Sequence, residues 1–329
     1  MSSPFVSVVI PLYNKERDVA IAVKSVLGQT HAEFEVVVVD DGSTDASRCV
    51  VESIRDPRLR IISRHNGGVC AARNTGITEA RADLIAFLDA DDEWAPDFLG
   101  TIVRLSQRHP GAGAYATRFW MLDADGAQKL SPVHGIPTGP WEGVVPDYYA
   151  TKGLISSSCV AIRRQVFDRV GAFREGVRIG EDLDMWFRIG AYYQIGYSTV
   201  ALAVWRRGAA NRACEQYPPH DSLPMQRSFD ELFRDSTLPH DRKEAARRYV
   251  AGMQLDHALL LCCWGRRKQA IEVLNSCGME TGINPDWAWH RLIAAVPFVL
   301  LSTSLRLRRR AFKALRRLAS FSPPHRSTS

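Results

Sequence analysis

What the chain lacks narrows what it is. No stretch reaches the roughly 20 apolar residues that a membrane-spanning helix needs. Its seven cysteines are odd in number, scattered and without C-x-x-C spacing, which fits a reduced, cytosolic setting. No basic segment precedes the first apolar run in MSSPFVSVVIPLYN and no small-residue cleavage site follows it, so the run reads as a buried strand and not as a signal peptide. The pattern G-x-G-x-x-G is missing after that strand, where PLYNKE stands, and this sets aside a dinucleotide-binding oxidoreductase. Aromatic residues are seldom interleaved with the basic ones, so no nucleic-acid partner is expected.

Acidic residues are missing from the end of the chain. Beyond Asp286 there are nine Lys or Arg and no Asp or Glu, whereas the whole chain of 329 residues carries a net charge of +6. A basic tail on a mildly acidic body points to an anionic surface as partner. The composition is 46% hydrophobic, ample for a packed core.

The ordered part begins with two β-branched runs, Val6 to Ile10 and Phe34 to Val39, the pattern of strands buried on both faces of a parallel sheet. Between them Val19, Val23, Val26 and Leu27 form one apolar helical stripe. Ser43, Thr44 and Asp45 supply turn and cap chemistry for a second helix. Leu59 to Ile62, Val69 to Ala80 and Leu84 to Leu88 read as strand, helix and strand. Alternating strands and helices predict an α/β fold with a mostly parallel sheet flanked by helices. From about Tyr217 strand signals stop and helical patterns such as Ala245 to Cys263 and Arg267 to Asn275 take over.

In such sheets ligands sit beyond the carboxyl ends of the strands, and here those ends are acidic. Asp89, Asp91 and Asp92 crowd the end of an apolar strand, where they repel one another unless a hard divalent cation such as Mg²⁺ or Mn²⁺ relieves them. A solvated turn capping the helix around Phe98 is the plainer alternative. Asp40 and Asp41 end another buried strand and face the same crevice, with acceptor oxygens suited to a base N–H or ribose hydroxyls; a tight turn with an N-cap also explains Gly42 to Asp45. Gly67-Gly68 opens a helix in a form that can approach an anionic ligand, and Arg73 adds a fixed charge or pairs with a carboxylate. Gly180-Glu181-Asp182 opens an amphipathic helix through Trp186, Phe187 and Ile189. Its carboxylates serve as a dipole partner or as a general base.

In this order, VSVVIPLYNKE, VVVVDDGSTD, NGGVCAARNTG, FLDADDEW and VGAFREGVRIGEDLDMWFRI resemble family 2 of the inverting glycosyltransferases, over roughly Ser7 to Arg207. The resemblance implies a GT-A fold, a nucleotide-diphospho-sugar donor, most often a UDP-sugar, and a divalent cation. It implies that Pro11 and Tyr13 seat the base, that Asp41 hydrogen-bonds it, that Glu16 lines the same pocket and that Arg73 lies close to the nucleotide. Asp89 and Asp91 match the D-x-D, with Asp91 the direct metal ligand, and Asp182 matches the catalytic base. Trp205-Arg206 departs from the Tyr-Arg pair that relatives carry before a His. The Q-x-x-R-W of processive synthases is absent, so addition of one or a few sugars is expected.

The expected layout is a catalytic domain over 1–215, a helical region over 216–290 and a basic amphipathic tail over 291–329. In the tail Arg306, Arg309, Arg310, Lys313, Arg316 and Arg317 recur at helical spacing while Leu305, Phe312, Leu315 and Leu318 lie largely on another face. That suits anionic lipid at the cytoplasmic face of a membrane and a glycan or lipid-linked acceptor in bacterial cell-surface polysaccharide or lipopolysaccharide synthesis. A degenerate, non-catalytic module that binds or recruits is the alternative; the presence of every expected carboxylate argues against it.

Overall fold

The computed structural model describes residues 5–281 apart from 152, 178, 210–219 and 221. The basic tail over 291–329 lies outside the described residues. Between Gln216 and Tyr217 the chain divides into two compact units.

The first unit starts as read from the sequence. Strand β1 (Val6–Leu12), helix α1 (Val19–Leu27), β2 (Phe34–Asp40), α2 (Ser47–Glu52), β3 (Leu59–Ser63), α3 (Val69–Glu79) and β4 (Leu84–Phe87) follow in turn. Then come β5 (Glu93–Trp94), α4 (Phe98–Arg108), β6 (Ala114–Leu122), β7 (Gln128–Leu130), β8 (Glu142–Val145), β9 (Val160–Arg163), α5 (Arg164–Val170), α6 (Glu181–Tyr192) and β10 (Ile195–Arg206). Among the described residues these ten strands form one sheet in the order β3-β2-β1-β4-β9-β6-β10-β5, with β7 on β6 and β8 on β10.

β1 pairs in parallel with both β2 and β4, with Leu12 opposite Asp40 and Val9 opposite Phe87. Because β3 lies beyond β2 while β4 lies on the other side of β1, strand order reverses at β1, and the crevice above the carboxyl ends of β1 and β4 is a topological switch point. The second half of the sheet is mixed. β9 runs antiparallel to both β4 and β6, β10 runs parallel to β6, and β5 turns back antiparallel on β10.

Burial explains the β-branched runs: Val8, Val9 and Ile10 in β1 and Val36 to Val39 in β2 are fully buried. Each such side chain contributes about 1.5–3 kcal/mol by leaving water. Helix α3 packs so closely on β1 that a Cβ on Gly76 would collide with the Val9 methyls. α6 is fastened to the sheet by an edge-to-face aromatic column, Phe87 on Phe173 at 5.4 Å and Phe173 on Trp186 at 6.4 Å between ring centroids.

The described part of the second unit is helical, with α7 (Gln226–Arg234), α8 (His240–Cys263) and α9 (Arg267–Thr281). Gly265, at φ +74, ends α8. Its N–H reaches the Cys262 carbonyl and that of Arg266 reaches the Leu261 carbonyl, each at 2.9 Å, which satisfies two orphan carbonyls in the Schellman pattern. The chain reverses there, so that Leu261 and Ala258 of α8 share a core with Ala270 and Leu274 of α9. No helix among the described residues is long and apolar enough to cross a membrane.

Candidate active site

Two loops form one lip of the switch-point crevice. After β1, Asn14 holds the one positive φ (51°) found at a non-glycine among the described residues. In that turn its side-chain oxygen accepts from the Thr44 N–H at 2.8 Å, and the Lys15 N–H donates to Ser47 Oγ at 2.7 Å. The Glu16 carboxylate, exposed on its outer side, accepts from the Ala46 N–H at 2.9 Å. Glu16 therefore ties the β1–α1 loop to the start of α2. Tyr13 is 47% exposed, an available aromatic face beside the half-buried Pro11.

Asp41 lies buried just past the end of β2. Its side chain is 2% exposed and accepts from the Gly67 N–H at 3.1 Å and the Gly68 N–H at 2.7 Å, with Arg64 at 3.1 Å. The anion held by the glycines at the N-terminus of α3 is thus the chain's own carboxylate, not a ligand group. Burial raises its pKa above the usual aspartate value, against the two backbone donors and Arg64.

The three carboxylates after β4 divide. Asp92 is 2% exposed; one oxygen accepts the Ser158 hydroxyl and the other the Arg206 N–H at 2.8 Å. Ser158 Oγ also accepts from the Asp89 N–H at 3.1 Å. Burial, then the charges of Asp91 and Asp89, hold the Asp92 carboxyl well above the usual range, so it serves as a buried anchor for the acidic loop. Asp89 and Asp91 keep some exposure, at 33% and 17% of their side chains. Asp91 takes the Lys15 ammonium at 2.7 Å, and its pKa is raised by burial and by Asp89 in spite of that cation. The helix α4 is not capped by these residues; it starts after Asp97, whose carboxylate accepts from Thr30 Oγ1 at 3.0 Å.

Arg73 pairs with carboxylates, the structural role its charge allowed. Its guanidinium is 2% exposed and spent on two carboxylates, Asp89 at 2.7 Å and Glu181 at 2.8 Å, over the face of Phe173 at 5.2 Å. A guanidinium so enclosed joins the D-x-D end of β4 to the first residue of α6.

Across the crevice, Gly180 in the left-handed region (φ 79°) turns the chain into α6. Asp184 on this helix is fully buried and paired with Arg188 at 2.9 Å and Arg174 at 3.4 Å, which fixes the helix start. Asp182 remains. Its Oδ1 accepts from the Leu183 N–H at 2.8 Å, and burial together with the Glu181 charge, opposed by Arg73, pushes its pKa up to about 7. A carboxylate that exchanges a proton near neutrality suits general-base work.

Among the described residues no three His, Cys, Asp or Glu side chains converge on one point, so those residues offer a cation the pair Asp89 and Asp91 at most. That pair fits one: the Asp91 charge is disfavoured by burial and by Asp89, and Asp91 already holds an ammonium as stand-in cation. Remaining positions around a hard cation would fall to phosphate oxygens and water.

The sequence does not single out Lys15 or Ser158, and it allows Arg73 a carboxylate partner without naming Glu181. Lys15 stood inside the quoted PLYNKE, and its charge next to an acidic strand end was the available signal. Nothing in the run ISSSCV singles out Ser158.

The mixed sheet with its parallel switch point at β1 is a GT-A fold, and solved structures share that fold. A crystal structure of S. aureus TarS 1–349 in complex with UDP-GlcNAc superposes with a TM-score of 0.67 at 18% identity, covering 95% of this chain and 91% of that one. The mannosyltransferase PcManGT from Pyrobaculum calidifontis, solved with GDP-Man and Mn²⁺, gives 0.58 at 19%, covering 97% and 87%. The family is fixed by sequence: the model for glycosyl transferase family 2 matches residues 7–171, and the chain belongs to that family. The succinoglycan biosynthesis protein ExoU of Rhizobium meliloti is 32% identical over 74% of both chains. Matches to glycosyltransferases from Rickettsia conorii and Nostoc span 31% and 33% of those proteins' length.

Proposed function

We infer that the chain transfers a sugar, with inversion, from a nucleotide diphosphate donor, a UDP-sugar, to a hydroxyl of a glycan or lipid-linked acceptor in the synthesis of cell-surface polysaccharide or lipopolysaccharide. The observation that carries the reading is Asp182, a carboxylate pushed to about 7 and held one residue from the Arg73 bridge to the D-x-D aspartate. Support also comes from the nucleotide sugars named in the TarS and PcManGT complexes and from relatives named for succinoglycan and teichuronic acid biosynthesis.

Tyr13 and Pro11 lie under the base at the β1 lip, and the Asp41 carboxylate, held by Gly67 and Gly68, shapes the floor beside it. Asp91 with Asp89 beside it would hold Mn²⁺ or Mg²⁺, whose charge offsets that of the departing diphosphate. Asp182 takes the proton of the acceptor hydroxyl as that oxygen bonds to the anomeric carbon; the bond from that carbon to the phosphate oxygen breaks on the opposite face, and a nucleoside diphosphate leaves. Attack opposite to departure inverts the anomeric centre. The basic tail keeps the enzyme at the cytoplasmic face of an anionic membrane, where a lipid-linked acceptor resides.

The test is release of nucleoside diphosphate from a panel of nucleotide sugars with Mn²⁺, Mg²⁺ or EDTA, for the full chain and for Asp182→Asn. Metal-dependent release from one donor, abolished in the variant, is expected; no release and no nucleotide-dependent thermal shift with any donor would overturn the reading.

A further inference from the structure

The β1–α1 loop is pinned at its backbone, by Lys15 N–H on Ser47 Oγ at 2.7 Å and by Asn14 on Thr44. From this anchored point the Lys15 side chain extends across the switch point to Asp91 Oδ2 at 2.7 Å, with only 13% and 17% of the two side chains exposed. A carboxylate with so little water around it needs a cation close by. One is already supplied by the chain, at the residue that would hold the metal. An ammonium there repels a divalent ion that seeks the same carboxylate, and so little solvent screens that repulsion weakly. A nucleoside diphosphate changes the balance, because its phosphate oxygens attract both cations at once. Lysine is suited to the exchange: a compact charge on a flexible four-carbon stem can swing from Asp91 to a phosphate while its backbone stays fixed.

We propose that Lys15 is the resident counter-ion of the donor site, holding Asp91 when the donor is away and passing to the donor's diphosphate when the metal arrives, so that metal and nucleotide bind as partners and neither binds well alone. This rests on the reading of Asp91 as the metal-holding residue. The coupling is reciprocal: the factor by which nucleotide strengthens metal binding equals the factor by which metal strengthens nucleotide binding. Lys15 is a source of that factor, because it weakens metal binding only while no diphosphate is there to receive it.

The experiment titrates Mn²⁺ into the full chain and follows free Mn²⁺ by electron paramagnetic resonance, first without nucleotide and then with saturating UDP or GDP. Wild type, Lys15→Met, Lys15→Arg and Asp91→Asn are compared. Methionine keeps the stem and removes the charge. Lys15→Met is expected to bind Mn²⁺ at least ten-fold more tightly than wild type without nucleotide, about 1.4 kcal/mol, and to lose a matching part of the nucleotide enhancement; Lys15→Arg keeps the wild-type pattern. Equal or weaker Mn²⁺ binding by Lys15→Met, with Asp91→Asn impaired, overturns the counter-ion role and leaves the metal reading standing. Wild-type Mn²⁺ binding by Asp91→Asn overturns both.

Discussion

Replacing Arg73 by methionine isolates the contribution of the bridge between the two sides of the crevice. Methionine fills much of the stem volume, so the loss is mainly that of the guanidinium, which is 2% exposed and lies 2.7 Å from Asp89 and 2.8 Å from Glu181. Removing one partner of a buried ion pair costs about 3–5 kcal/mol, because the other charge is left uncompensated. Glu181 is 12% exposed and bears that cost; Asp89 is 33% exposed and is partly rescued by water, which favours the lower end, about 3 kcal/mol. For a unit of this size each kcal/mol moves the midpoint by roughly 2–4 °C, so thermal unfolding of Arg73→Met should fall by about 6–12 °C. Arg73→Met combined with Glu181→Gln should recover part of the loss, since the stranded charge is gone. A single variant melting within about 2 °C of wild type would refute the reasoning, and the bridge would have to be a surface-like pair of little consequence.

Other consequences follow from the same geometry. With Asp182 pushed up to about 7, turnover should rise with pH to a plateau above about 7, and Asp182→Asn should lower kcat by roughly 10²–10⁴; an acid limb centred near 4 contradicts the assignment. The stability effect has the opposite sense: the folded chain holds the Asp182 proton more tightly than the unfolded chain does, so this residue's contribution is full below the ordinary aspartate pKa and is lost as pH rises towards 7. Urea midpoints of wild type and Asp182→Asn should accordingly diverge between about pH 4 and 7. Burial and the neighbouring aspartates disfavour the Asp92 charge and hold its carboxyl well above the usual range, and an amide of nearly the same shape removes that charge. Asp92→Asn should therefore unfold within about 1 kcal/mol of wild type, whereas Asp92→Ala strands the Ser158 hydroxyl and the Arg206 N–H at about 1–3 kcal/mol. Gly76→Ala forces a methyl into Val9 and should cost about 1–3 kcal/mol in urea unfolding.

β1 and β2 were legible because fully buried parallel strands are β-branched and continuous, as in Val36 to Val39, and the half-buried β3 and the short β4 followed from the alternation of strand and helix. The order of short motifs then gave the fold family. The sheet's second half was less legible: β9 is only four residues, and its place between β4 and β6 follows from long-range pairing that leaves no local period. At the site, residue types were readable but allegiances were not. Asp89, Asp91 and Asp92 look equivalent in sequence, yet one binds Arg73, one Lys15 and one Ser158. Those partners lie 16, 76 and 66 residues away. Gly67-Gly68 similarly announced an anion without saying that it was Asp41.

The most direct measurement is calorimetric titration of UDP and GDP into the full chain with Mn²⁺ or with EDTA, repeated for Asp91→Asn and Tyr13→Ala. One nucleoside diphosphate should bind only with metal, with metal dependence lost in Asp91→Asn and affinity weakened in Tyr13→Ala. Binding that is indifferent to metal and to both substitutions, or no binding at all, would contradict a donor site at the carboxyl ends of β1 and β4.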